Sequence, residues 1–192
     1  MNKILCTGNP LKSNLAAAIL NTFPDTFFIS RSNGYDLTTT DGVNKFKNTI
    51  KDYTVFINCS YVAPGVQQTL LKITNNVWES GHVINIGSTA EYNFFPKHID
   101  QSYVAEKNNL KQLSLDLSSK LFKTTHISMG GINDAIVSYK LDPTNVANTI
   151  RWIVGLKDFY VPIIGLENDF WHKNYDIDKQ HNIKIRDAND IS

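Results

Sequence analysis

Val83-Ile84-Asn85-Ile86-Gly87-Ser88-Thr89 is a short apolar run, bounded by Gly81 and Gly87, that ends in two hydroxyl side chains. Its length and its bounding glycines predict a buried strand. Comparable runs lie on both sides of it, at Lys3 to Thr7, Thr26 to Ser30, Val55 to Ser60, Thr124 to Ser128 and Tyr160 to Gly165. Stretches of helical period separate them. Their apolar faces are Leu15, Ala16, Ile19 and Leu20; then Val43, Phe46 and Ile50; then Val66, Leu70, Ile73 and Val77. Leu110, Leu113, Leu117 and Leu121 follow, and finally Val146, Ile150 and Ile153. Strand and helix alternating in this way predict an α/β fold, a doubly wound parallel sheet with helices on both faces.

The chain of 192 residues suits one domain. Nineteen basic and 18 acidic side chains leave a net charge of +1, so no strong field points to nucleic acid or an anionic membrane. No run is long enough to span a bilayer, and the apolar start is too short for a secretion signal, so a cytoplasmic protein is expected. Cys6 and Cys59 each end a predicted strand and read as small buried thiols. The five histidines show no ligand spacing, so no metal site is expected.

In an open parallel sheet the carboxyl ends of the strands line the ligand crevice, which delivers Ser88 to its edge. The helix predicted from Gln101 to Lys120, with Asp100 or Ser102 as its cap, carries Tyr103 and Lys107 four residues apart and so on one face. A phenol titrates near pH 10, too high for acid-base work at neutral pH. A nearby ammonium lowers that value, and a serine hydroxyl can hold a substrate oxygen. Together the three suit proton transfer to a carbonyl oxygen.

Ser88 with Tyr103-Val104-Ala105-Glu106-Lys107 resembles the Ser and Tyr-x-x-x-Lys set of the short-chain dehydrogenase/reductase family. The resemblance runs from about Lys3 to Gly165. It implies a Rossmann-like domain over residues 1–165, with a tail of unknown role over 166–192. It also implies hydride transfer between NADP(H), or NAD(H), and a small carbonyl or alcohol substrate. In that reading Ser88 polarises the carbonyl, Tyr103 gives the proton, and Lys107 lowers the tyrosine pKa and binds the nicotinamide ribose.

Cofactor contacts follow from the same resemblance. Thr7-Gly8-Asn9-Pro10-Leu11-Lys12-Ser13-Asn14 is similar to the family's Thr-Gly-x-x-x-Gly-x-Gly turn, whose strand-turn-helix geometry cradles phosphates. Only Gly8 of the three glycines is kept; Lys12 and Asn14 replace the others. Arg31, at the end of the second strand, suits a 2′-phosphate and so tilts the reading toward NADP. Asp36-Leu37 is similar to the adenine-contacting pair, and Asn58-Cys59-Ser60 to a degenerate Asn-Asn-Ala-Gly strand end. Gly130 is similar to the glycine of the family's Pro-Gly after the strand Thr124 to Ser128, with Met129 in place of the proline, and Ile132 matches the backbone position that holds the nicotinamide carboxamide.

The chain also departs from the family. Too few residues lie between the second strand and Asp36 for a parallel crossover, so the helix after strand two is predicted missing and the third strand short or absent. No asparagine matches the one that supports the family's proton relay; Gln67 or Gln68 could stand in, and neither is assigned. The aromatics from Tyr92 to Phe95 either wall a pocket or pack, and the segment where a lid usually sits, from Ala135 to Leu141, is short. Pro162 places the last strand at an edge. The helices from Val66 and from Gln101 imply a homodimer or homotetramer, as in the resembling proteins. Alternative readings are a non-catalytic cofactor-binding or scaffold protein of the same fold, and a nucleotide-sugar reductase.

Overall fold

The computed structural model describes residues 2–92, 100–132, 140–157 and 159–167. The strands are β1 (Ile4–Thr7), β2 (Phe27–Ile29), β3 (Val55–Asn58), β4 (Gly81–Ile86), β5 (Phe122–Met129) and β6 (Ile163–Leu166). The helices are α1 (Asn14–Thr22), α2 (Thr40–Thr49), α3 (Val66–Val77), α4 (Gln101–Leu117) and α5 (Pro143–Gly155). One sheet, in the order β2-β1-β3-β4-β5-β6, is parallel throughout.

Successive strand residues point to opposite faces, and the core divides accordingly. Cys6, Ile57, Ile84 and Ile127 pack with Ile19 of α1 and Val146 and Ile150 of α5. Leu5, Phe56 and Val83 pack on the other face with Phe46 of α2, Leu70 and Leu71 of α3 and Leu110 of α4. The sheet is therefore covered on both sides, as the alternating pattern predicts. The chain leaves β1 for β2 on one side and returns to β3 on the other. The order reverses between β1 and β3, and a ligand crevice opens at such a point.

Between β2 and α2 there is only a 3-10 turn, Arg31–Asn33, and a short loop. As expected, among the described residues no α-helix follows β2 before Asp36, and the strand that would come next is absent. Pro162 directly precedes β6, which is an edge strand as expected, and its carbonyl accepts from His126 N at 2.9 Å. Asp100 caps α4 by accepting from Ser102 N at 2.8 Å, and Asp142 caps α5 through Thr144 N at 2.8 Å.

Two helix faces differ from the expected ones. The inward residues of α3 are Gln67, Leu70, Leu71 and Thr74, whereas Val66, Ile73 and Val77 pack at the margin. The helix ends where Trp78 folds under it and donates its indole N–H to Ile50 O at 2.8 Å. Leu121 is 65% exposed, because α4 stops at Leu117 and Phe122 takes the core position instead. The predicted aromatic bridge at 93–99, the segment 133–139 and the tail from 168 onward lie outside the described residues.

Candidate active site

The last rung joining β4 to β5 is Gly87 N to Ile127 O, 2.8 Å. Beyond it the chain turns into a 3-10 segment, Thr89–Tyr92, leaving Ser88 at the carboxyl end of the strand. A Cβ on Gly87 would stand 2.1 Å from His126 Nε2, so only glycine fits there. Ser88 Oγ accepts from Ala90 N at 3.2 Å and shares a cavity with Tyr103. Tyr103 lies in the first turn of α4, its ring edge-on to Tyr61 at 5.3 Å. One turn further, Lys107 is only 3% exposed. Its Nζ lies 5.5 Å from the Tyr103 ring centroid and 5.2 Å from that of Tyr61.

Where the ammonium points is less expected. Lys107 Nζ donates to Gln67 Oε1 at 2.7 Å and to Ile86 O at 3.3 Å, away from the cleft. Burial brings Lys107 down to about 8, partly offset by Cys59, Glu91 and Glu106. The Tyr103 phenol is raised above its ordinary 10.0: burial is the largest cause, the Ser88 hydroxyl works against it, and Tyr61 and Glu91 add to the rise.

Two cavities flank the switch point and share Ser60. The first, about 430 Å³, takes in Ser88 and Tyr103 with Ser13, Asn14, Cys59, Gly130 and Ile132 of the expected cofactor residues. The second, about 350 Å³, takes in Gly8, Asn9, Lys12, Arg31, Asp36 and Leu37. Pro10 and Lys107 line neither cavity. Asn58 also lines neither: it is fully buried, and its Nδ2 donates to Gln67 O and Asn85 Oδ1, both at 2.9 Å. Asn85 passes the chain of bonds to Ser114 Oγ at 2.9 Å, so Asn58 ties the sheet to α3 and α4.

Thr7 closes the top of the switch point, its Oγ1 accepting from Cys59 N at 2.8 Å and Ser60 N at 2.9 Å. Gly8 follows at φ +142°, and a Cβ there would crowd Ser60 Oγ at 3.2 Å and Ala16 Cβ at 3.3 Å. In the rest of the turn, Asn9 takes the backbone donors itself. Its Oδ1 accepts from Leu11 N at 2.9 Å, and its carbonyl from Lys12 N at 2.9 Å and Ser13 N at 3.0 Å. Pro10 has no donor to offer. Phosphate recognition would therefore fall to Lys12 and to the start of α1, where Ser13, Asn14 and Leu15 line the first cavity.

At the far end Arg31 Nε pairs with Asp36 Oδ2 at 3.0 Å, with the guanidinium side chain 74% exposed. Asp36 is held below its ordinary 3.8, first by its two hydrogen bonds from Thr38 and less by Arg31. Gly42 of α2 sits beneath it, where a Cβ would stand 1.9 Å from Asp36 O. Arg31 lines one cavity, and the α1 start, Ser88 and Tyr103 line the other, the two adjoining at Ser60. That arrangement fits a dinucleotide, with the adenosine end near Arg31, the phosphates at α1 and the reactive ring near Ser88.

Several residues were not assigned from sequence. Gln67 is the amide that reaches Lys107; Gln68 instead donates to Glu106 O at 3.0 Å. The available signal was position, since Gln67 stands three residues before Leu70 and so shares its buried face. Tyr61, which walls the cleft beside Tyr103, gave none. Glu91, fully buried just after Ser88, accepts from His126 Nε2 at 3.0 Å and from Ser128 Oγ.

No protein-family model matches the sequence, and no curated protein matches it. Solved structures do. A short-chain dehydrogenase from Leptospira borgpetersenii with bound NAD+ is similar at a TM-score of 0.69 and 13% identity, over 88% of this chain and 92% of that one. A short-chain dehydrogenase from Burkholderia cenocepacia in complex with NADP gives 0.67 and 12%, over 93% and 94%. An alcohol dehydrogenase from Thermococcus sibiricus, complexed with 5-hydroxy-NADP, gives 0.68 and 12%, over 86% and 96%. The fold is that of the short-chain dehydrogenases.

Proposed function

We propose that this chain is an oxidoreductase of the short-chain dehydrogenase/reductase type, which transfers hydride between NADP(H) and a small carbonyl or alcohol substrate, with NAD(H) the less favoured cofactor. The observation that carries this reading is that Ser88, at the carboxyl end of β4, and Tyr103 line one cavity with the start of α1, next to the cavity lined by Arg31. The cofactors held by the similar structures support it.

When bound, a dihydronicotinamide would supply the hydride for the carbonyl carbon. Ser88 Oγ–H donates to the substrate oxygen and holds it beside the phenol. Tyr103 then protonates that oxygen, and the alcohol leaves. A phenol raised above 10.0 is fully protonated at neutral pH, which suits the proton donor of a reduction. Lys107, behind the two rings, favours the phenolate left after transfer. Arg31 would meet a 2′-phosphate, and Lys12 and the α1 start the pyrophosphate.

Titration of the purified protein with NADPH and NADH, followed by nicotinamide fluorescence, tests the binding half. Tighter binding of NADPH is expected. Tyr103→Phe tests the chemistry: turnover should fall at least about a hundredfold with the NADPH titration unchanged. Retained turnover in that variant refutes the assignment. One observation favours a non-catalytic cofactor-fold protein instead, namely that Asn9 engages the turn's own donors. Absence of binding by either nucleotide, in either redox state, would select that reading.

A further inference from the structure

We infer that Gln67 is a positioning residue whose side-chain amide fixes the Lys107 ammonium behind the Tyr103 ring. The inference rests on the reading of the site given above. Gln67 is 2% exposed in the first turn of α3 and makes three side-chain hydrogen bonds. Oε1 accepts from Lys107 Nζ at 2.7 Å, while Nε2 donates to Asn58 O at 2.9 Å and Ile86 O at 3.2 Å. This pattern allows one orientation of the amide. Flipped, it would set an NH2 against an ammonium and an oxygen against two carbonyls.

The consequence is a lysine with a fixed head on a flexible stem. An ammonium carries three donors. Two are used on Gln67 Oε1 and Ile86 O, and the third remains on the side where the Tyr61 and Tyr103 rings stand. Gln67 is itself anchored at its backbone carbonyl, which accepts from Asn58 Nδ2, so the clamp is built on the strand end of β3 and not on a loop. The chain uses a side chain where an ordered water could have served. Glutamine has the reach for this, and asparagine, one methylene shorter, does not. Gln68, one residue on, turns to α4 and has no contact with Lys107 among the described hydrogen bonds, which makes it an internal control.

The titratable groups facing Lys107 are Cys59 after β3, Glu91 after β4, Tyr61, and Glu106 and Tyr103 on its own helix. None replaces the acceptor that Gln67 supplies. Removing that acceptor leaves a buried ammonium with one bond fewer, so its proton comes off at lower pH.

The test is the titration of Lys107 by NMR in [13C]lysine-labelled protein without nucleotide, its signal assigned as the one lost in Lys107→Met. The midpoint, about 8 in the native chain, should fall by about one to two pH units in Gln67→Met, the worth of one hydrogen bond to a charged group. In Gln68→Met it should stay in place. Should Gln67→Met fail to fold, Gln67→Asn keeps the amide but withdraws it from the ammonium, and the same fall is expected. In turnover with NADPH, the basic limb of the kcat profile should follow the Lys107 midpoint while KM for the carbonyl substrate holds. An unmoved midpoint in the Gln67 variants, or an equal fall in Gln68→Met, overturns the inference whatever the turnover. A midpoint that moves in a protein with no turnover upholds the clamp and counts against the reductase reading alone.

Discussion

Gly87→Ala places a methyl 2.1 Å from His126 Nε2 and 2.5 Å from Cε1. The imidazole is fully buried and cannot swing into solvent; to make room it must leave the Glu91 carboxyl, which it now meets at 3.0 and 3.2 Å. Forcing a methylene-sized group into a packed interior costs about 1–3 kcal/mol. Losing a hydrogen bond to a charged group adds about 1.5–3 kcal/mol. The expected loss is therefore about 3–5 kcal/mol, which lowers Tm by roughly 10 °C in a chain of this length. Thermal unfolding followed by circular dichroism reads this directly. The diagnostic variant is Gly87→Ala combined with His126→Ala, in which the ring is gone and the methyl has space. If the clash is the cause, the double variant is no less stable than His126→Ala alone. Costs that simply add, or a Gly87→Ala protein within about 0.5 kcal/mol of the native one, would refute the reasoning. Because Gly87 directly precedes Ser88, the same shift should displace that hydroxyl from Tyr103.

Arg31→Ala should weaken NADPH roughly tenfold and leave NADH unchanged; one charged hydrogen bond is worth more than that when buried, but this guanidinium is largely exposed. Equal losses for both nucleotides, in parallel fluorescence titrations, would remove Arg31 from the 2′-phosphate site. Burial, with Lys123 adding to it, holds His82 at about 4 against an ordinary 6.5, so the unfolded chain takes up its proton first as pH falls. Stability should be unaffected by this group above pH 6.5 and decline by about 2–3 kcal/mol between 6.5 and about 4. Urea unfolding across that window should show a correspondingly shallower decline in His82→Gln.

Much of the fold was legible because period and punctuation agreed. Val83 to Ile86 and Val55 to Asn58 are strands with both faces buried, and such strands announce themselves as continuous apolar runs. The missing crossover after β2 could be read from chain length alone. Helix faces were less legible. A buried Gln67 looks like a surface residue until Asn58, Ile86 and Lys107 are seen around it, and those partners come from three other segments. In the same way Asn58 matched a motif by sequence, yet its amide is drawn into the sheet by Asn85 and Gln67 and away from the cleft. Tyr61 could not be foreseen because its place beside Tyr103 depends on how α4 packs over the end of β3.

The electrostatics of the site were the least legible feature, and they bear most on its chemistry. Sequence places a phenol and an ammonium one turn apart and invites the inference that each stabilises the other's charged form. Burial acts on both at once and in the opposite sense: it raises Tyr103 and lowers Lys107 to about 8, so each is pushed toward its neutral form. A neutral phenol can donate a proton to a carbonyl oxygen but cannot take one from an alcohol, so in the proposed reaction a neutral Tyr103 favours reduction. Running the reaction toward oxidation requires the phenolate, and hence a stronger positive field at Tyr103 than Lys107, bonded to Gln67 and Ile86, now supplies. The oxidative rate with NADP+ should therefore keep rising with pH beyond 8, while the reductive rate stays level through neutrality.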